Sequence, residues 1–153
     1  MRKFIKVAAI IVTLLLTSCV QSVYREAVCE GAINQIPMSI KYHGINNKIT
    51  KSIHTVTYDF DQENEVGRFL DYLDTYSAEL NSSPGIDLNL RVEDKSVILV
   101  YQIDYRFVEK DTLIKLGLMD HDCINCETAD FSHTILIREE EDFICQFLTI
   151  EAN

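Results

Sequence analysis

Proline and glycine are scarce in this chain of 153 residues, which contains two prolines and five glycines. Flexible linkers between domains are usually rich in glycine, and stiffer linkers are rich in proline. The sequence also shows no low-complexity segment and no internal repeat. Since the length suits one domain, the sequence predicts a single compact domain without an internal linker.

Basic residues are also few, with 14 lysines and arginines against 24 acidic residues. Three of the basic residues, Arg2, Lys3 and Lys6, lie at the very start, so the chain from residue 19 onward has a net charge near −13. A nucleic-acid-binding surface needs a basic face, which excludes nucleic acid as an expected partner. The same charge argues against adhesion of the domain to anionic lipid by electrostatic attraction.

Long apolar runs are missing except for Val7–Leu16, a ten-residue core that follows the basic start. This core is too short for a transmembrane helix, which needs about 20 residues, and the layout is that of a secretory signal. Leu16-Thr17-Ser18-Cys19 then resembles the bacterial lipobox. That resemblance implies cleavage before Cys19 and attachment of acyl lipid, such as palmitate, to the Cys19 sulfur.

The expected organisation is therefore a lipoprotein signal peptide at 1–18, a lipidated tether at 19–27 and a domain at 28–153. The expected location is the extracytoplasmic face of a cell membrane, where the chain is held by its lipid. In such a compartment disulfides can form. Four cysteines remain for pairing, and they allow three connectivities: Cys29, Cys123, Cys126 and Cys145.

The CINC segment, Cys123–Cys126, permits three interpretations. A tight local disulfide is the structural one. A thioredoxin-like redox pair would need a stabilised thiolate, which the acidic neighbours of the two cysteines disfavour. A zinc site needs four ligands, and Cys123 and Cys126 could be joined by His121 and His133.

Alternation of apolar and polar residues predicts strands in two places. Met38, Ile40 and Tyr42 alternate with polar residues, and residues 43–47 are typical of a turn. A second strand then covers 48–60, with either a bulge near His54 and Thr55 or a change of contacts along the length of the strand. Residues 86–93 and 96–107 form the clearest hairpin, with the turn at 94–95. Each pair predicts neighbouring antiparallel strands.

Helical spacing of apolar residues predicts an amphipathic helix from Val66 to Leu80, ended by residues 81–85. A short helix follows at 111–116. The last segment, 131–150, fits a helix capped by Asp130 or Ser132 with Phe143 and Phe147 on one face, or else a hairpin; we favour the helix. The predicted class is α+β, an antiparallel sheet of two hairpins with four to five strands and helices on one face.

This order of elements resembles the YehR-like family of small bacterial lipoproteins. The resemblance lies in SIKYHGINNKITK, the helix after it, and LNLRVEDKSVILVYQIDYRFVEKDTLIKLGL, within Cys29–Leu118. It implies the fold and the lipid-anchored location, but no activity, because the family's function is uncharacterised. It also implies a Cys29–Cys145 disulfide, since some members have a cysteine before the first strand and another near the C-terminus.

Catalytic motifs are absent: the chain has no P-loop, no G-x-G-x-x-G and no G-x-S-x-G. Of its four histidines, His43, His54, His121 and His133, none lies in a nucleophile motif. We therefore expect a non-catalytic envelope lipoprotein, with no cofactor beyond its lipid, that binds another envelope protein or a small ligand. The alternative is a thiol-redox or zinc protein centred on Cys123 and Cys126.

Overall fold

A computed structural model of the protein describes residues 22–115 and 130–148. Within that part the strands form one antiparallel sheet in the order β4-β5-β3-β2-β1-β6. The strands are β1 (Tyr24–Ile33), β2 (Ile36–Ile45), β3 (Lys48–Asp59), β4 (Ile86–Glu93), β5 (Ser96–Asp104) and β6 (Ile144–Leu148). The helices are α1 (Glu63–Asn81), α2 (Lys110–Lys115) and α3 (Phe131–Glu140). The predicted α+β class is confirmed, but the sheet has six strands rather than four or five.

Short turns with positive φ angles join the consecutive strands. Asn46 and Asn47, between β2 and β3, have φ angles of 51° and 66°. Asp94, between β4 and β5, has a φ of 50°. Asparagine and aspartate tolerate this left-handed region better than most residues, and two-residue turns of this kind match the twist of the flanking strands. Both predicted hairpins are confirmed.

The bulge in the second predicted strand lies elsewhere than expected. The β2–β3 register shifts between His43 and Gly44, which pair with Lys51 and Ile49, so Thr50 is the extra residue. The prediction of a bulge near His54 and Thr55 was wrong. Because the extra residue reverses the phase of the strand, Ile49 is buried while Ile53 lies on the opposite face, and no local pattern marks that point.

Two apolar clusters lie on one face of the sheet, which we call the inner face. The first joins β1, β2 and β3 to α3 through Ala27, Ile40, Tyr42, Phe131 and Ile135, with Cys29, Ile49 and Phe143. The second joins β3 and β5 to α1 through Val56, Val66, Leu73, Val97 and Leu99. Met38 packs against both clusters and connects them. Helices α1 and α3 therefore cover the two halves of the same face.

The first strand begins inside the segment that the sequence analysis assigned to the tether. Tyr24 already pairs with Ile45, and the ladder with β2 continues to Ile33 and Ile36. Residues 24–27 are thus part of the sheet, and the domain starts before residue 28. The apolar–polar alternation of these residues is too short to predict a strand by itself. The strand forms because β2 and β6 pair with it on either side.

The last segment is a helix followed by a strand, so the prediction of one helix through Phe147 was wrong. Helix α3 begins after Asp130, whose Oδ1 accepts a hydrogen bond from the His133 backbone N–H at 2.8 Å. It ends at Glu140, and Asp142 turns the chain with a φ of 65°. The chain then returns as β6 against β1, because that pairing satisfies backbone groups that a longer helix would leave on β1.

Among the helices of the described part, none is long and apolar enough to cross a membrane. The predicted signal peptide and Cys19 lie outside the described residues, as do His121, Cys123 and Cys126. The structure therefore bears on the domain and not on the anchor.

Candidate binding site

Helix α1 and the inner face of the sheet enclose an apolar cavity of about 280 Å³. Residues from the helix and from four strands line it: Met38, Val56, Tyr58, Phe69, Tyr72, Leu73, Leu80, Ile86, Leu88, Leu99 and Tyr101. Most of them are aliphatic or aromatic, and the polar groups are the hydroxyls of three tyrosines. A concave apolar site with a few polar groups is the usual form of a small-molecule site.

Few of the α1 side chains are fully buried against the sheet. Only Val66 and Leu73, seven positions apart, are buried among the α1 side chains that the structure describes. At the N-terminal half of the helix, Phe69 packs against Tyr58 and Phe60, with ring centroids 4.7 Å and 5.2 Å apart. Farther along the helix, Leu80 also lines the cavity. The cavity thus lies between these helix side chains and the sheet.

A buried row of polar side chains lies next to the cavity, between the two apolar clusters. Ser52 Oγ is 2.9 Å from His54 Nε2 and 3.2 Å from the Tyr105 hydroxyl. His54 stacks on Tyr101, which also lines the cavity, with ring centroids 4.5 Å apart. Burial raises the pKa of Tyr105 to about 12, so its hydroxyl stays neutral. The row provides hydrogen bonds in the core without a charge.

Arg138 of α3 is hydrogen-bonded to Tyr42, whose ring contacts this row at His54. Its Nε donates a hydrogen bond to the Tyr42 hydroxyl at 3.1 Å, and its Nη1 donates to Glu141. The Tyr42 ring meets the His54 ring edge to face, at 6.3 Å between centroids. The positive charge of Arg138 disfavours protonation of His54.

Ser52 and His54 do not have the properties of a nucleophile and its base. Burial, assisted by the charge of Arg138, lowers the pKa of His54 to about 3. Ser52 is 0% exposed, so no substrate reaches its hydroxyl. His54 Nδ1 also has no hydrogen-bond partner in the described part of the chain, whereas a catalytic histidine is oriented by a third group. The pair is a structural hydrogen bond.

We expect the low pKa of His54 to make the domain less stable in acid. In the folded state His54 stays neutral down to pH 3, whereas in the unfolded chain it binds a proton below its ordinary value of 6.5. Stability from this group is therefore complete above pH 6.5 and falls by about 1.4 kcal/mol per pH unit below it. Urea unfolding at several pH values should show a steeper loss for the wild type than for His54→Gln.

His133→Gln provides the matched control for this titration. His133 is exposed on α3, so it meets water in both the folded and the unfolded chain. The variant should keep the wild-type slope of stability against pH. Equal slopes for wild type and His54→Gln would contradict the assignment of the acid sensitivity to His54.

Of the predicted site residues, the structure brings Cys29 and Cys145 together. They are directly opposite each other in the β1–β6 ladder, and their sulfurs form a disulfide bond of 2.07 Å. His133 is exposed at the start of α3. Cys123, Cys126 and His121 lie outside the described residues, so the redox and zinc interpretations stay predictions. In the described part, no three His, Cys, Asp or Glu side chains are grouped as metal ligands.

Sequence reasoning missed the cavity. Tyr42 is buried, whereas Tyr72, which lines the cavity, is 68% exposed. Leu88 and Tyr101 line the cavity, yet they lie in the same apolar–polar alternation along their strands as residues that are fully packed. No local signal separates an apolar residue that faces a helix from one that faces a gap.

No protein-family profile and no curated protein shows a significant match to the sequence. Two solved structures share the fold. The NMR structure of the YehR protein of E. coli has a TM-score of 0.64 and 15% identity, over 84% of this chain and 93% of YehR. The chain has a YehR-like fold. An NMR structure of a protein from Streptococcus pneumoniae TIGR4 has a TM-score of 0.53 and 10% identity, over 82% of this chain and 85% of that protein.

The predicted resemblance to YehR is thus confirmed at the level of the fold. At 15% identity the comparison concerns the path of the backbone and not the residues that line the cavity. The function has to be argued from the chain's own side chains.

Proposed function

We propose that this protein is a non-catalytic envelope lipoprotein that binds a small apolar ligand in the cavity beneath α1. The observation that carries the proposal is the cavity itself, apolar and lined by α1 and four strands of the sheet. Its volume of about 280 Å³ is close to the lower end of ligand sites, roughly 300 Å³. That size suits a compact hydrocarbon or a single acyl chain.

The side chains that line the cavity would bind such a ligand without reacting with it. Val56, Leu73 and Leu99 are buried and offer no reactive atom. Tyr58, which also lines the cavity, has a pKa raised by burial, so its hydroxyl is a neutral hydrogen-bond donor and acceptor for a polar end group. Binding would then draw on apolar burial, with about 25 cal/mol for each Å² removed from water.

A neutral apolar fluorophore, N-phenyl-1-naphthylamine, tests the cavity directly. We expect the purified domain to bind it with saturable fluorescence enhancement, and Leu99→Phe to weaken binding several-fold because the added ring occupies the cavity. Leu90→Phe is the matched control. Leu90 pairs with Leu99 across the β4–β5 ladder, but it is 44% exposed and does not line the cavity.

Leu90→Phe should bind the fluorophore as the wild type does. Absence of saturable binding to the wild type, or an equal loss in both variants, would refute the proposed site. Circular dichroism of each variant shows whether the fold is retained.

The lipid anchor is the second part of the proposal. The Cys29–Cys145 disulfide supports it, because structural disulfides persist in oxidising compartments outside the cytoplasm. Leu16-Thr17-Ser18-Cys19 supplies the lipobox-like sequence. The anchor would keep the domain at the membrane surface, where apolar ligands are concentrated.

Metabolic labelling with an alkyne fatty acid tests the anchor. Cells that express the full chain should yield a labelled protein in the membrane fraction, and Cys19→Ser should abolish the label. A second cysteine substitution, Cys123→Ser, should leave labelling unchanged. An unlabelled wild type would refute lipid attachment at Cys19.

A further inference from the structure

Exposed apolar side chains gather at the end of the sheet where β1 begins, which we call the proximal end. They are Val23, Tyr24, Phe147 and Leu148, with exposed fractions of 49%, 53%, 60% and 44%. Two come from the start of the domain and two from its last described strand. Monomeric proteins rarely leave such a group of large apolar side chains in water without a partner.

The fold holds these residues in place. The Val23 carbonyl accepts a hydrogen bond from the Asn46 backbone N–H at 3.0 Å, and Val23 N–H donates to Asn46 Oδ1 at 3.0 Å. Phe147 and Leu148 reach the same end because they pair with Ala27 and Glu26 in the β1–β6 ladder. Phe147 also packs near Phe131, with ring centroids 6.4 Å apart. The fold therefore fixes the backbone of the group, with Phe147 on the inner face opposite Ala27 and Leu148 on the other face opposite Glu26.

The proximal end is also the end nearest to the lipid-bearing cysteine. Cys19 precedes Val23 by four residues, and four extended residues span at most about 14 Å. Because β1 starts at Tyr24 rather than after residue 27, the tether is shorter than the sequence predicts. A lipid on Cys19 therefore keeps the proximal end within that distance of the bilayer surface.

We propose that the proximal end contacts the bilayer interface, with Tyr24, Phe147 and Leu148 among the lipid headgroups. This inference rests on the lipid anchor proposed above. Aromatic side chains favour the membrane–water interface because one part of the ring is apolar and the other meets water. The acyl chain and this apolar surface then form two attachments, and an anchor with two signals is far more stable than one with a single acyl chain.

Charge at the proximal end permits this contact without requiring anionic lipid. Arg25 and Lys48 are exposed cations there. Two acids next to β1 are engaged within the protein: Glu26 pairs with Lys41 at 3.1 Å and with His43 at 2.9 Å, and Asp130 accepts from Asn47 and caps α3. The contact is therefore apolar and should occur on zwitterionic lipid, despite the acidity of the whole domain.

The chain contains no tryptophan, so a single introduced tryptophan reports its own surroundings. Phe147→Trp is the informative probe, because residue 147 is distant from the anchor in sequence and reaches the proximal end only through the β1–β6 pairing. Val92→Trp is the matched control. Val92 is 43% exposed and lies at the opposite end of the sheet, beside the β4–β5 turn.

We would reconstitute the full lipidated chain into phosphatidylcholine vesicles with and without brominated acyl chains, which quench tryptophan on contact. Phe147→Trp should lose fluorescence on brominated lipid and emit at shorter wavelength than the same domain free in buffer. Val92→Trp should show neither change. Tyr24→Trp, whose side chain is also exposed, gives a second reading if Phe147→Trp does not fold.

The outcomes separate this inference from the anchor on which it rests. If intact mass shows the acyl group but neither Phe147→Trp nor Tyr24→Trp is quenched, the interface contact is wrong and the anchor stands. Equal quenching at Val92 would also overturn it, because the domain would then lie flat on the membrane. If the acyl mass is missing, the anchor fails and this inference fails with it.

Discussion

Replacement of both Cys29 and Cys145 by alanine should lower the free energy of unfolding by about 4 kcal/mol. The disulfide joins residues 116 positions apart, and in the chain-entropy model a loop of about 100 residues restricts the unfolded state by roughly 4.7 kcal/mol. The cysteines also sit in the β1–β6 ladder, with Cys29 fully buried, so β6 loses its covalent attachment. Urea unfolding of the oxidised wild type and the double variant measures the difference.

Alanine is the better substitute here because serine would place two hydroxyls in an apolar cluster. The matched control is the double variant Cys123→Ala and Cys126→Ala, which leaves the long loop closed. Even if that pair forms a local disulfide, its loop is short and its removal should cost much less. Equal losses in the two double variants would contradict the assignment of this stabilisation to the Cys29–Cys145 loop.

Replacement of Phe131 by alanine should cost about 3–5 kcal/mol, the usual range for a fully buried phenylalanine. Phe131 is 0% exposed and belongs to the cluster that joins α3 to β1, β2 and β3. Its backbone N–H also donates to the Asn47 carbonyl at 2.8 Å, which attaches the start of α3 to the β2–β3 turn. Loss of the ring leaves a cavity where α3 is attached to the sheet. Chemical denaturation measures the cost.

Leu136→Ala is the control on the same helix. Because Leu136 is 56% exposed, this variant should lose less than about 1 kcal/mol of stability.

Gly44 provides a second test of the Phe131 packing. A Cβ atom at Gly44 would lie 2.5 Å from Phe131 Cδ2, so Gly44→Ala should destabilise the wild type and cost less in the Phe131→Ala background. If the two substitutions had strictly additive effects on the free energy of unfolding, the Phe131 ring would not be the reason that position 44 requires glycine.

Much of the domain is encoded locally. Asn46 and Asn47 form a turn because asparagine tolerates positive φ, and the alternation on either side makes the hairpin. Helix α1 covers Glu63–Asn81, as its apolar spacing predicts. These elements could be predicted because each depends on residues near one another in the chain.

Other features depend on partners that are distant in sequence. The bulge at Thr50 places both Ile49 and Val56 on the inner face, although their spacing in sequence suggests opposite faces. The change from α3 to β6 depends on β1, since Cys145 must lie opposite Cys29. The acidic run before β6 favours a helix locally, and the strand that follows forms only through tertiary pairing.

The same division applies to the candidate sites. Sequence alone predicts the lipobox-like Cys19, since that signal is linear, and it supplies the expectation of an anchored domain without a catalytic motif. The tertiary structure decided that α1 bridges an apolar cavity, that His54 is buried beside it, and that Phe147 lies at the same end as Tyr24. The reason is physical. Alternation and turn chemistry determine which residues leave water, but only the packing of distant elements determines whether they meet another side chain, a gap or an exposed end of the sheet.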